Sequence, residues 1–237
     1  MPTNKDCASI PALEPEDKPT AIYAFTRAWI RVGCAFLGGL TVTGSENIPS
    51  SGPVILAPNH RAHIDPPYIA LITKRQVCFM AKRELFRGPL GWLMRKCGSF
   101  PVVRGAPDRA ALRHAIELLK AGKVVVIFPE GTRSENGRLK AAEKGFSLIA
   151  KQTGATIVPV AIEGTEKMMP KGAKRIKRGH PQITVGRAID PATLAGLKDK
   201  DALEKIGEGT MLAIAGLLGE DPAGLTNRPS AGKIDAL

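Results

Sequence analysis

The chain has 237 residues and 43% hydrophobic content, enough for one sizeable core and too few for two comfortable domains. Against 22 Asp and Glu stand 34 Lys and Arg, a net charge of +12 that favours a negatively charged partner: nucleic acid, an anionic membrane surface or a phosphorylated substrate. Aromatic content of 5% argues against a stacking platform for single strands, and four cysteines without a C-x-x-C pair read as reduced thiols in a cytosolic protein.

In chain order, residues 1–19 are Pro-rich and acidic and read as a mobile lead-in, with the character of neither a signal nor a transit peptide. Residues 20–39 turn apolar, interrupted by Arg27 and Arg31 one helical turn apart. Two arginines make a spanning helix costly. A basic amphipathic helix in the membrane interface is expected, with a core-packed helix carrying two snorkelling arginines as the alternative. From residue 40 to 218 strands alternate with helices. Expected strands are Leu40–Thr43, Val54–Ala57, Val77–Met80, the extended segment Gly98–Arg104, Val124–Phe128, Thr156–Ile162 and Ile183–Val185. Expected helices begin at Pro66 and run through Leu71, then cover Leu90–Lys96, Pro107–Ala121, Lys144–Gln152 and Pro191–Leu218. Between Lys167 and His180 lie six Lys/Arg and no acid. The tail, 219–237, is Pro/Gly-rich and reads as loose. This alternation predicts a single α/β domain with a mixed, largely parallel sheet flanked by helices.

Two stretches follow buried strands, where α/β proteins place their chemistry. Asn59-His60-Arg61-Ala62-His63-Ile64-Asp65 offers an imidazole and a carboxylate five positions apart, a spacing that meets across a turn and not on a helix face. A His oriented by a carboxylate is a general base, although a lone His–Asp pair is as often structural. No nucleophile accompanies it: Gly145-Phe146-Ser147-Leu148-Ile149 lacks the second glycine of a nucleophile elbow and lies inside an expected helix. A base without a nucleophile points to direct transfer onto a hydroxyl of the substrate. A metal reading of His60, His63 and Asp65 needs a further ligand from His114 or His180, neither well placed, so no metal is expected. Phe128-Pro129-Glu130-Gly131-Thr132-Arg133-Ser134 offers a fork donor for phosphate and a carboxylate for hydroxyls, or a solvated turn closed by an ion pair. Lys82 and Arg104, each after an expected strand, are candidates to join Arg133 around one phosphate.

These two stretches resemble the N-H-x4-D and F-P-E-G-T-R-S blocks of the lysophosphatidic acid acyltransferase family (1-acylglycerol-3-phosphate O-acyltransferases). Gly98-Ser99-Phe100-Pro101-Val102-Val103-Arg104 is similar to a third family block, and Ile157-Val158-Pro159-Val160-Ala161-Ile162 to a fourth. All four stand in family order across residues 59–162. The resemblance implies transfer of an acyl chain from a thioester, acyl-CoA or acyl carrier protein, to the free sn-2 hydroxyl of lysophosphatidic acid, giving phosphatidic acid without a further cofactor. It implies that His60 is the base and that Asp65 orients it. Glu130 would hold the glycerol part of the acceptor, with Gly131 and Thr132 in the same loop, and Arg104 and Arg133 would hold its phosphate. Asn59 and the backbone near Gly131 would support the loop or the oxyanion. Many members carry Ser where this chain has Ala62. The family's substrates live in a bilayer, so an enzyme attached to the cytoplasmic face of the cell membrane, peripheral or monotopic, is expected and nucleic acid is not. Another lysophospholipid or glycolipid acceptor is the runner-up, and a non-catalytic protein binding anionic membrane or nucleic acid the distant one.

Overall fold

The computed structural model describes residues 19–103, 108–133, 138–170, 172–194 and 199–220. The expected lead-in and tail thus fall almost wholly outside the described residues, as does Arg104.

The strands are β1 (Thr41–Thr43), β2 (Val54–Pro58), β3 (Val77–Lys82), β4 (Phe100–Val102), β5 (Val124–Val126), β6 (Thr156–Glu163) and β7 (Gln182–Val185). They form one sheet in the order β1-β7-β6-β2-β5-β3-β4. From β6 through β2, β5 and β3 to β4 every pairing is parallel, so these strands end on one edge of the sheet. β7 runs against β6, and β1 runs with β7, which makes the sheet mixed. The helices are α1 (Ala21–Phe36), α2 (Asp65–Ile69), α3 (Gly88–Lys96), α4 (Arg109–Lys120), α5 (Lys144–Thr153), α6 (Thr165–Met168) and α7 (Asp199–Leu218).

The central strands are unbroken apolar runs because both faces of the sheet are covered. On one face Val54, Leu56, Val124, Val126, Val158 and Val160 pack against Tyr68, Ile69 and Met168. On the other, Ile55, Ala57, Val125 and Ile157 pack against Ala115, Leu119, Phe146 and Ile149 of α4 and α5. A proline inside a central strand is unusual, since it has no N–H for the ladder. Pro159 is accommodated at the end of the β6–β7 pairing: its carbonyl accepts the Gly186 N–H (2.8 Å), so only the return bond from its own nitrogen is missing before the Ile157–Ile189 bridge.

The expected elements are recovered with local differences. α2 stops at Ile69 instead of running through Leu71. The last helix does not begin at Pro191: a 3₁₀ turn covers Pro191–Leu194, where Thr193 turns its N–H and hydroxyl back onto the Asp190 carbonyl (3.2 and 2.8 Å), and α7 starts at Asp199. α6 was not foreseen.

α1 buries one side and leaves the other uncovered. Tyr23 and Cys34 are buried, and the Tyr23 hydroxyl accepts the Val77 N–H at 3.3 Å. Arg27 points inward, donating to the Ala70 and Leu71 carbonyls at the end of α2 (3.0 and 3.3 Å). The opposite face is an uncovered stripe of Ile22, Phe25, Trp29, Val32 and Phe36, at helical spacing, with Phe25, Trp29 and Phe36 exposed by 67, 62 and 76%. No described helix is long and apolar enough to cross a membrane.

Candidate active site

Both sequence stretches sit at the sheet edge where the parallel strands end. β2 delivers Asn59 and His60. The Asn59 side chain extends the strand by one rung, donating to the Ile162 carbonyl (3.0 Å) and accepting the Ile162 N–H (2.7 Å). Its amide is thereby committed to scaffolding, which fixes where His60 begins.

The imidazole Nδ1 lies 2.8 Å from Asp65 Oδ2. The same oxygen accepts the Arg61 and Ala62 N–H groups at 2.8 and 2.9 Å. One carboxylate oxygen therefore organises the whole turn from strand to helix. A carboxylate on Nδ1 requires the proton there and leaves Nε2 as the basic nitrogen. Asp65 is completely buried, and its Oδ1 has no hydrogen-bond partner among the described residues. Phe128, from the loop after β5, stacks on the imidazole with ring centroids 4.0 Å apart.

Glu130 is turned inward, with 2% exposure. One carboxylate oxygen accepts the His60 N–H (3.3 Å) and the other the Lys140 N–H (3.1 Å). Burial pushes its pKa up to about 7, against the pull of those two N–H groups and of the Lys140 and Arg61 charges. The carboxylate expected to hold glycerol thus clasps the His60 loop to the segment before α5. Gly131 adopts a φ of +66°, and a Cβ there would meet Glu143 Cγ at 2.9 Å, so the turn needs glycine. Its N–H donates to the Phe128 carbonyl at 3.0 Å, which commits it to the loop and away from an oxyanion.

Thr132 is exposed and Arg133 half-buried, with no hydrogen bond or ion pair between Arg133 and the described residues. Lys82 ends β3, is largely solvent-facing and lies 3.9 Å from Glu84. β5 and then β3 succeed β2 across the sheet, and neighbouring strands are about 5 Å apart, so the cations extend away from the base to one side. Among the described residues no three His, Cys, Asp or Glu side chains converge on a common point. Ser147 is buried in α5 beneath Gly207, far from the role of an exposed nucleophile.

A profile of the acyltransferase family matches residues 39–163. The chain belongs to the acyltransferase family. Among curated members it is 32% identical to the 1-acyl-sn-glycerol-3-phosphate acyltransferase of Bacillus subtilis, over 79% of this chain and 92% of that one. It is 33% identical to a chloroplastic enzyme of that name from Arabidopsis thaliana, over 77% of this chain, but spans only 52% of the plant protein. The crystal structure of the 1-acyl-sn-glycerophosphate acyltransferase PlsC of Thermotoga maritima superposes with a TM-score of 0.68 at 30% identity, covering 82% of this chain and 79% of that one.

Of the residues singled out in the sequence, the fold brings together His60, Asp65 and the Glu130 loop. The sequence did not point to Lys140, whose N–H and charge both bear on Glu130. Nor did it point to the ion pair of Arg61 Nη2 with Glu220 Oε1 at 2.7 Å, which joins the His60–Asp65 loop to the end of α7. The only local signal for Glu220 is Gly219, placed where a helix stop belongs.

Proposed function

We propose that the chain transfers an acyl group from a thioester to the sn-2 hydroxyl of 1-acylglycerol-3-phosphate, making phosphatidic acid. The observation that carries this reading is the buried His60–Asp65 pair, 2.8 Å apart, beside a loop that presents an Arg133 with no partner among the described residues. Nε2 of His60 takes the hydroxyl proton as the acceptor oxygen bonds to the thioester carbonyl carbon. Asp65 stabilises the imidazolium that forms. The tetrahedral intermediate collapses with loss of thiolate, which recovers the proton from His60. No covalent enzyme intermediate and no metal or further cofactor enters. Arg133 meets the acceptor phosphate, with Lys82 and Arg104 as further cations, and Thr132 lies at the mouth of the same loop. Acyl-CoA and acyl carrier protein are both acceptable donors on this reading.

Membrane attachment is part of the proposal. The uncovered stripe of α1 suits the acyl boundary of a bilayer, and Arg31 stands exposed beside it. A groove of about 310 Å³ along α1, lined by Tyr23, Ala24, Arg27, Ala28 and Arg31, adds cationic and apolar surface there, away from His60. Lys167, Lys174, Arg175, Lys177 and Arg178 are exposed on a loop fastened to the end of α1: Gly179 N–H donates to Leu37 O (2.8 Å) and His180 Nδ1 to Gly38 O (2.7 Å). Each such cation near an anionic surface contributes about 1 kcal/mol. These features support attachment at the cytoplasmic face of the cell membrane, as a peripheral or monotopic protein.

The test is thiol release from acyl-CoA, then from acyl carrier protein, with lysophosphatidic acid present, in wild type and His60→Ala. Acceptor-dependent release lost in the variant is expected. Release unaffected by His60→Ala would sink the mechanism, and indifference to a phosphomonoester in an acceptor panel would move the reading to another lysophospholipid or a glycolipid.

A further inference from the structure

α7 does not end in solvent. Gly219 takes a φ of +64°, its N–H returns to the Gly216 carbonyl (3.3 Å), and the Glu220 N–H returns to Ala215 (3.0 Å). This is the paired closure of a Schellman motif, and it folds Glu220 back from the helix axis. Its carboxylate meets the guanidinium of Arg61, the residue that follows the base, at 2.7 Å. Both side chains are partly buried, at 16 and 30% exposure, so solvent screens the pair less than an ordinary surface contact.

We propose that Glu220 is a positioning residue of the catalytic centre: paired with Arg61, it ties the His60–Asp65 loop to the end of α7 and keeps a guanidinium charge from standing uncompensated beside the base. The inference rests on the acyl-transfer role given to His60 above. Arg61 is coupled to the base twice, through the peptide bond and through its N–H on Asp65 Oδ2 (2.8 Å), so pulling its side chain aside strains the dyad. α7 supports the opposing loop as well. Its Met211, Ile214 and Ala215 pack with Leu139 and Ala142, which flank the Lys140 N–H that holds Glu130. One helix thus braces both halves of the site.

The electrostatic part follows from what His60 must become. When it takes the hydroxyl proton it is a cation. Among the described residues the charged groups of this region are Asp65 from α2 on the imidazole, Glu130 from the loop after β5 on the His60 N–H, Lys140 before α5 on Glu130, Arg61 from the same loop as His60, and Glu220 from α7 on Arg61. Without Glu220, Arg61 loses its ion-pair partner, keeps only its interaction with the Glu130 carboxyl, and acts as a like charge that disfavours the imidazolium.

Acceptor-dependent thiol release is measured from pH 5.5 to 9 for wild type, Glu220→Gln, Glu220→Ala and the double variant Arg61→Gln/Glu220→Gln, with thermal midpoints alongside. Glu220→Gln keeps an oxygen for Arg61 and removes only the charge. It should lower kcat by about three- to tenfold with an unchanged or lower acceptor KM, and move the acid limb of kcat/KM to lower pH. The double variant should bring the acid limb back and recover most of kcat, and Glu220→Ala should be slower than Glu220→Gln because the tether is gone too. Wild-type kcat and acid limb in Glu220→Gln, a double variant no better than the single, or losses that simply follow the thermal midpoint would each overturn the role. An inactive wild type would overturn the acyl-transfer reading and this role with it, whereas an active wild type beside an indifferent Glu220→Gln overturns this role alone.

Discussion

Replacing Glu130 by Gln separates what this side chain costs from what it does. Its pKa is raised from 4.5 to about 7 by burial, so the folded state binds the proton more tightly than the unfolded chain. A raised carboxyl pKa stabilises the fold at low pH, and that contribution is lost as pH climbs from about 4.5 toward 7. At 1.36 kcal/mol per unit, going from pH 5 to pH 7.5 should cost wild type about 2 kcal/mol through this one group. For a domain of this size that is roughly 4–8 °C in thermal midpoint. Glu130→Gln has no such titration, and its midpoint should fall less over the same interval by that amount. The variant nevertheless turns an NH₂ toward one of the two backbone donors, His60 or Lys140, where the carboxylate accepted both (3.3 and 3.1 Å). Catalysis should therefore drop in kcat while the acceptor KM changes little. The assay is differential scanning of both proteins at pH 5 and 7.5, with steady-state acyl transfer at pH 7.5. Parallel midpoints would refute the burial argument. A rise confined to acceptor KM would refute the clasp and restore Glu130 as a ligand of the glycerol.

Arg133→Ala should raise the KM for a phosphorylated acceptor, or lower kcat/KM, by the roughly 1.5–3 kcal/mol of a charged hydrogen bond, and an unchanged acceptor dependence would put the phosphate on Lys82 and Arg104 alone. Trp29→Glu, in the middle of the uncovered α1 stripe, should sharply reduce co-sedimentation with anionic vesicles while leaving the thermal midpoint within about 1 °C, because a side chain exposed by 62% contributes little to the fold. Equal sedimentation of both proteins would remove α1 as the attachment face. Ala62→Ser places a hydroxyl three residues before Asp65, whose buried Oδ1 has no partner among the described residues. It should stabilise the protein by about 1 kcal/mol in denaturant titration, and destabilisation would mean the packing around Ala62 has no room for the oxygen.

Parts of this were legible in the sequence for identifiable reasons. Val54–Ala57 and Val124–Phe128 read as strands because, covered on both faces, they carry no polar alternation that could be mistaken for a helix. His60 and Asp65 were legible as partners because a separation of five excludes one helix face and leaves a turn. Which way Glu130 points was not legible. Phe-Pro-Glu-Gly-Thr-Arg is compatible with a carboxylate facing substrate or facing backbone, and the choice depends on Lys140, beyond the motif. The Arg61–Glu220 pair joins positions 159 apart in sequence, and no local pattern encodes such a meeting. For α1 the sequence is compatible with a core-packed or an outward-facing helix, and a helix has two sides. Tyr23 and Cys34 answer to the core, and Phe25, Trp29 and Phe36 to whatever lies outside.

The membrane attachment proposed for that outward stripe has a consequence for how the proposed activity is measured. A catalyst seated on lipid meets its acceptor in two dimensions, so its velocity follows the mole fraction of lysophosphatidic acid in the surface and not its molarity in the tube. Diluting the acceptor with inert phospholipid at constant total acceptor should slow the reaction, and adding more vesicles of unchanged composition should not. Constants expressed per litre would then describe the preparation, and constants expressed per lipid would describe the protein.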